Sequence, residues 1–344
     1  MRRLLPWSLP VVALAYAWLR LELGEQYRNA PWAALVDGTA PLPFGHRVLM
    51  PQIAGWLQRA SGLSLPTVWL GLETLSALGL LVAFLAVFAR DDAPARAYGK
   101  AIAGLSLLSI LLVVPRTWPI FYPWDTPAVA VVVASVAAVA RGRYGACVVL
   151  AGIGALNRES AGLVPLVMLA LRLDDEPDRR GLLAWTSAAT AAVIAARVYV
   201  AMRWPDNPGP ALHLTVSGTY RILHNVRWLA EPTHVLQLLG WGGWLVLAWP
   251  WAARRAGWPL RRLGAVAWTW LAAAFVVANV YEPRAVGEAF GLAWVVVAHA
   301  PGVGGDRRSP IARRFDVAYG WLVLAGLVAL AVSLAHSPWL PVAR

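Results

Sequence analysis

Long apolar stretches follow one another along almost the whole chain and are separated by short segments that contain arginine. Hydrophobic residues make up 59% of the 344 residues and charged residues only 14%, whereas about a quarter of the residues in a soluble domain are charged. Apolar runs of about 20 residues are typical of helices that cross a bilayer. The pattern therefore predicts an all-α polytopic transmembrane bundle, forming a single domain over residues 1–344, and excludes an ordinary soluble enzyme.

The number of membrane spans is expected to be about 8–11, because some of the apolar runs are short. The runs lie at 4–22, 65–89, 99–115, 125–140, 144–156, 160–173, 182–203, 235–252, 264–281, 286–300 and 317–335. Those at 144–156 and 160–173 are too short for a full crossing. They are predicted to be two half-helices, or one helix broken around Asn157, Arg158 and Glu159.

The orientation of the spans follows from the distribution of basic residues. The majority of the arginines, and Lys100, fall in one set of alternate loops, which includes 90–100, 172–181, 254–262 and 306–316. Cytoplasmic loops of membrane proteins are enriched in Lys and Arg, so this set is predicted to be cytoplasmic. The N terminus is then also cytoplasmic and is expected to be an uncleaved helix. Residues 24–64 and 204–234 form the long outer loops, and the first of these is expected to contain interfacial helices.

Composition also limits the cofactors and partners. The net charge of +12 does not indicate nucleic-acid binding, because the arginines do not form one basic face. Cys147 is the only cysteine, so neither an intramolecular disulfide nor a Cys-based metal site is possible. Because the sequence contains no nucleotide-binding glycine motif, ATP hydrolysis is not expected. The sequence indicates no cofactor, and it neither indicates nor excludes a divalent metal.

The first outer loop carries two isolated carboxylates and a basic pair. Glu25 and Asp37 are candidates for a general base at the membrane surface. His46 and Arg47 are candidates for binding an anionic headgroup. The segment 47–60 is amphipathic and is predicted to lie in the membrane interface. The alternative is that the charges form local pairs and that Arg47 extends to the headgroups.

Two further acids lie in or near the apolar runs. Asp125 precedes Pro127 by two positions, which is typical of a helix N-cap, but an acid beside several aromatic residues could also contact a sugar. Glu73 lies within a predicted span, where a carboxylate is expected to be paired or protonated.

Two short polar motifs interrupt the later part of the chain. Arg158 and Glu159 stand where two short apolar runs meet, and Glu282 and Arg284 stand between two later runs. Charged groups at bilayer depth must meet an anion, protein or water. Each motif is therefore either a local structural pair or part of a substrate site. In the second case Arg47, Arg158 and Arg284 are predicted to converge on one outward-facing cavity that holds a phosphate.

The layout of these residues resembles the GT-C superfamily of integral membrane glycosyltransferases. The features are the acidic first outer loop (Glu25, Asp37), an acid in the second outer loop at 115–127 (Asp125), and three short elements: Arg47-Val48-Leu49-Met50-Pro51, Arg158-Glu159 and Glu282-Pro283-Arg284. The resemblance implies transfer of a sugar from a polyprenyl-phosphate donor to an acceptor at the outer face of a bacterial inner membrane. It implies Glu25, Asp37 or Asp125 as catalytic residues, and His46, Arg47, Arg158, Glu159, Glu282 and Arg284 as substrate-binding residues. The expected partners are the lipid bilayer and the polyprenyl-phosphate-linked sugar.

Two other functions are compatible with the same sequence. A transporter or flippase for an anionic lipid or solute would use the broken helix near Arg158 as its binding site. A non-catalytic subunit of a membrane assembly would not need the outer carboxylates. Phosphate release from a polyprenyl-phosphate sugar distinguishes the transferase from the transporter.

Overall fold

The structure is a computed structural model that describes residues 5–90, 92–113, 120–174, 176–208, 214–216, 219–239, 244–280 and 282–299. Contacts divide the chain into two compact units. The first unit comprises residues 1–98 and 120–213, and the second comprises 99–119 and 214–344. The predicted span at 317–335 and the predicted cytoplasmic loop at 306–316 lie outside the described residues.

The first unit contains most of the helices that carry the predicted site. They are α1 (Leu5–Leu23), α2 (Trp32–Asp37), α3 (Leu49–Ser61), α4 (Leu65–Phe88), α6 (Asp125–Ala140), α7 (Tyr144–Asn157), α8 (Leu163–Arg172) and α9 (Arg179–Arg203), with 3-10 turns at Phe44–His46 and Glu159–Gly162. α4 packs against α1 and α6, while α7 packs against α9. The predicted helix break is confirmed, because Arg158 has an extended backbone (φ −161°, ψ 151°) between α7 and the second 3-10 turn.

Local sequence explains where the long helices begin. At α4, the Ser64 side chain accepts a hydrogen bond from Thr67 N, and proline occupies the first turn. At α9, the Asp178 side chain accepts from Gly181 N. A side-chain oxygen at the N-cap satisfies a backbone donor that has no partner within the helix, and proline is tolerated in the first turn for the same reason. These caps fix the start of two of the apolar helices.

Residues 24–64, the predicted first outer loop, fold onto the helices and form part of the core. Trp32 from α2 makes edge-to-face contacts with Trp69 and Phe121, whose ring centroids lie 6.3 Å and 5.8 Å away. Phe121 N also donates to Glu25 O at 3.0 Å, which pairs the start of this loop with the chain before α6. α2 ends at Gly38, whose φ of +73° is easily adopted only by glycine. The loop is thereby held against α4 and α6.

The second unit contains α5 (Pro94–Val113), which begins in the first unit, and α10 (Arg221–Leu229), α11 (Pro232–Leu238), α12 (Trp244–Arg255), α13 (Trp258–Val277) and α14 (Gly287–His299). A two-residue antiparallel hairpin pairs β1 (Thr215–Val216) with β2 (Thr219–Tyr220). A 3-10 turn at Pro283–Val286 precedes α14. α14 packs against α12 and α13.

The described residues are all-α apart from this small hairpin, as the sequence predicts. Among them, three helices are long and apolar enough to cross a membrane: Leu65–Phe88, Arg179–Arg203 and Pro259–Val277. The apolar helices Asp125–Ala140, Tyr144–Asn157 and Gly287–His299 are shorter. The larger predicted number of spans, and a single transmembrane domain, stay predictions.

Candidate functional site

Two buried carboxylates meet two arginines at the centre of the first unit. Arg20 Nη1 lies 2.6 Å from Glu73 Oε1, and Arg20 Nη2 lies 3.4 Å from Asp125 Oδ2. Arg158 Nη1 lies 3.3 Å from Asp125 Oδ1. All four side chains are at most 8% exposed. Since a buried charge is costly unless it is paired, these ion pairs are what allows four ionised groups to lie between α1, α4, α6 and the helix break.

Two hydroxyl groups extend this buried ionic cluster. Thr126 Oγ1 donates to Glu73 Oε1 at 2.5 Å and accepts from Arg20 Nη1 at 2.7 Å. The Tyr16 hydroxyl lies 3.1 Å from Thr126 Oγ1. Glu73 Oε2 is buried, and no donor among the described residues reaches it. The prediction that Glu73 is paired or protonated is thus confirmed, with Arg20 as its partner.

A second ionic group, more open to solvent, lies on the other side of the helix break. Glu159 Oε2 lies 3.4 Å from Arg47 Nη2, and Glu159 Oε1 lies 3.2 Å from Arg197 Nη2. The Glu159 side chain is 40% exposed and Arg47 is 15% exposed. Arg197 Nη1 also donates to His46 O at 2.9 Å. We refer to Arg47, Glu159 and Arg197 as the open triad.

The charges of the open triad act on the ionisation of Glu159. Burial by itself would raise the pKa of this carboxyl, but the neighbouring positive charges of Arg47 and Arg197 outweigh that effect and hold its pKa below the usual value. Glu159 is therefore ionised at neutral pH and pairs with both arginines.

Stacked aromatic rings connect the two ionic groups. Phe44, Tyr122 and Trp124 stack on one another, with ring centroids 4.9 to 6.2 Å apart. The Arg47 guanidinium lies 5.1 Å from the centre of the Trp124 ring, a cation–π distance. Trp124 directly precedes Asp125, which binds Arg158. Arg47 and Arg158 therefore contact two residues, Trp124 and Asp125, that are adjacent in the chain.

The structure thus groups four of the residues that were predicted separately: Arg47, Asp125, Arg158 and Glu159. His46 lies beside them, with Nε2 at 3.4 Å from Trp204 O. Glu25 and Asp37 are both exposed. Within the described part of the chain, the side chains of these two acids have no ion pair, so they stay predictions as catalytic bases.

Two local interpretations of the sequence are wrong. Asp125 is not the N-cap of α6, because Trp124 holds that position and the Asp125 carboxylate binds Arg20 and Arg158 instead. Arg158 and Glu159 do not serve as each other's partner, because Arg158 pairs with Asp125 and Glu159 pairs with Arg47. In both cases a long-range ion pair replaces the local interaction.

The remaining predicted residues lie in the second unit. Glu282 Oε1 accepts from Asn279 Nδ2 at 2.6 Å, and Asn279 in turn accepts from Arg221. Arg284 lies in the 3-10 turn Pro283–Val286, and its side chain is outside the described residues. The predicted convergence of Arg284 with Arg47 and Arg158 stays a prediction.

Sequence reasoning did not select Arg20 or Arg197 for the site. Each is a single arginine at the end of, or within, an apolar run, and such a residue requires a partner. That requirement could have identified both arginines as candidates, but it does not show which acid is the partner of each. No group of three or more His, Cys, Asp or Glu side chains suited to a metal occurs among the residues that the structure describes.

Comparisons of the chain with protein-family models, with curated proteins and with solved structures gave no match.

Proposed function

We propose that this chain is a polytopic membrane glycosyltransferase that moves a sugar from a polyprenyl-phosphate donor to an acceptor hydroxyl at the outer face of the membrane. One observation carries the proposal: the first outer loop, the second outer loop and the helix break bring Arg47, Asp125 and Arg158 together beside stacked aromatic rings. The three long apolar helices support a location in a membrane.

The proposed reaction has a simple balance of bonds and charge. The acceptor oxygen forms a bond to the anomeric carbon while the bond from that carbon to the phosphate oxygen breaks. The bonding electrons leave with the polyprenyl phosphate, and the acceptor proton goes to a carboxylate. Fixed cations beside the leaving phosphate stabilise the charge that develops there.

The residues of the first unit divide between these roles. Arg47 is 15% exposed, compared with 8% for Arg158, so a phosphate can reach Arg47 more directly than Arg158. Asp125 has both oxygens bound to guanidinium groups and is 2% exposed, so we assign it to positioning Arg158 rather than to proton transfer. Glu25 and Asp37 are exposed and are the proposed alternatives for the base.

The test is a transfer assay with purified protein and a panel of radiolabelled polyprenyl-phosphate hexoses and pentoses. We expect release of polyprenyl phosphate with at least one donor, and at least a tenfold loss of that release in Arg47→Gln, since one lost donor to a developing anion costs about 10²–10³ in rate. Arg59→Gln, which changes an exposed arginine in α3, is the matched control and should retain the activity.

A transporter of an anionic lipid is the second candidate. The break at Arg158, between two short apolar helices, favours it because discontinuous helices often form substrate sites in transporters. Movement of a labelled polyprenyl phosphate across a vesicle membrane, without any release of sugar from the full donor panel, would support transport and reject the transferase.

A further inference from the structure

We propose that Glu159 occupies the anion-binding position of Arg47 when no substrate is bound, and that a polyprenyl phosphate displaces it. Arg197 then keeps the displaced carboxylate. This inference rests on the proposed function in taking the anion to be a lipid phosphate, and it assigns Glu159 as a competitor of the substrate rather than as one of its binding groups.

The Glu159 contacts of the open triad are longer than the Arg20–Glu73 ion pair, and the Glu159 carboxylate is more exposed than the carboxylates of the buried ionic cluster. Glu159 lies 3.4 Å from Arg47 and 3.2 Å from Arg197, whereas charge-assisted bonds to carboxylates are usually about 2.7–2.9 Å long. Glu73, by comparison, lies 2.6 Å from Arg20 and is 1% exposed. Because Glu159 is 40% exposed, its carboxylate can leave Arg47 and remain hydrated.

Arg47 has donor capacity that Glu159 does not use. Its Nε atom is buried and has no hydrogen-bond partner among the described residues. The guanidinium group is also supported by the faces of Trp124 and Phe44, at 5.1 Å and 5.9 Å from the ring centres. These contacts do not involve Glu159, so Arg47 keeps its position when the carboxylate moves.

The balance of charge favours the exchange. Within the open triad, the two arginines Arg47 and Arg197 share a single carboxylate, that of Glu159. The triad therefore carries one more positive charge than negative charge. A phosphate on Arg47 would supply the missing negative charge while Glu159 neutralises Arg197.

The experiment measures the affinity of purified protein for a short-chain polyprenyl monophosphate by calorimetry. Glu159→Gln should bind about fivefold more tightly than the wild type, since breaking a partly exposed ion pair is equivalent to roughly that factor. Arg197→Gln should bind more weakly, because Glu159 then has only Arg47 as a partner. Glu159→Gln/Arg197→Gln should match Glu159→Gln within about twofold.

The double variant separates competition from simple electrostatics. If Arg197 acts only through its charge, its removal will weaken binding by the same factor with and without Glu159, which would reject the exchange. Unchanged or weaker binding by Glu159→Gln would also reject it. Glu159→Ala replaces Glu159→Gln if the latter does not fold, and Arg59→Gln is the control for loss of an exposed arginine.

The outcome is separable from that of the proposed function. Tighter binding by Glu159→Gln without sugar transfer from any donor would support the exchange and reject the transferase. Transfer activity together with unaltered lipid binding by Glu159→Gln would support the transferase and reject the exchange. Equal competition by inorganic phosphate would show that the exchange responds to free phosphate and would reject the lipid as its specific ligand.

Discussion

Arg158 Nη1 lies 3.3 Å from Asp125 Oδ1, although 33 residues separate the two in the chain. The next residue, Glu159, pairs with Arg47 and Arg197 instead. The extended backbone of Arg158 causes this division, because consecutive side chains of an extended segment point in opposite directions. The helix break therefore places Arg158 in the buried ionic cluster and Glu159 in the open triad.

Asp125→Asn should destabilise the protein by about 3–5 kcal/mol, because it removes one of the negative charges that balance two buried arginines. The free energy of unfolding in mixed detergent measures the loss. Asp206→Asn, the same substitution at an exposed turn position, is the control and should change the stability by less than about 0.5 kcal/mol. Equal, small effects of both substitutions would contradict the burial argument.

The proposed base can be identified by comparing two matched substitutions. Glu25→Gln or Asp37→Asn should lower the rate of sugar transfer by about 10²–10⁴, the usual contribution of general-base catalysis. Both acids are exposed, so neither variant should change the melting temperature. Near-normal rates in both variants would exclude the first outer loop as the source of the base.

The open triad should respond to acid. Because the pKa of Glu159 is lowered in the folded state, its pairing contributes its full stability above the ordinary carboxyl pKa of 4.5 and loses that contribution as the pH falls through the folded-state pKa. The difference in melting temperature between the wild type and Glu159→Gln should be constant near neutral pH and should close below about pH 4.5. A difference that grows in acid would contradict this sign.

Gly45→Ala should damage the segment that carries His46 and Arg47. A methyl group on Gly45 would overlap with the Asn207 side chain and the Ala40 carbonyl oxygen. Overpacking of this kind costs about 1–3 kcal/mol, measurable as a lower free energy of unfolding. Gly71→Ala in α4 is the control, because its added methyl group meets nothing within 4 Å. Equal free energies of unfolding of the two variants would show that the segment around Gly45 accommodates the methyl group without cost.

The predicted orientation can be tested with two matched cysteine substitutions. Ala33 in α2 and Ala93 before α5 are both exposed, and the first is predicted to lie outside and the second in the cytoplasm. A membrane-impermeant thiol reagent should label Ala33→Cys in intact cells and Ala93→Cys only after lysis. Cys147 is buried and should give little background. Labelling of Ala93→Cys in intact cells would reverse the assigned orientation.

The elements that could be predicted from the sequence are those whose ends are determined by neighbouring residues. The apolar run at 65–89 matches α4 (Leu65–Phe88), because Ser64 and Pro66 define its start. The break around Arg158 was also predictable, since consecutive charged residues cannot continue an apolar helix through lipid without partners.

The pairing of charges was not predictable in the same way. The requirement that Glu73 be paired follows from its apolar surroundings, but its partner Arg20 lies 53 residues away. Likewise, Arg158 has an acid next to it and binds a different one 33 residues earlier. Helix packing decides which charges meet, and one sequence carries little information on that packing.

The position of Arg20 has a consequence for biosynthesis. Its two carboxylate partners follow it by 53 and 105 residues, so α1 leaves the ribosome long before α4 and α6 exist. Until then the Arg20 charge has neither acid available. Stable placement of α1 must therefore await at least α4, which brings Glu73, and a chain truncated before Leu65 should leave its first helix without either acid partner for Arg20.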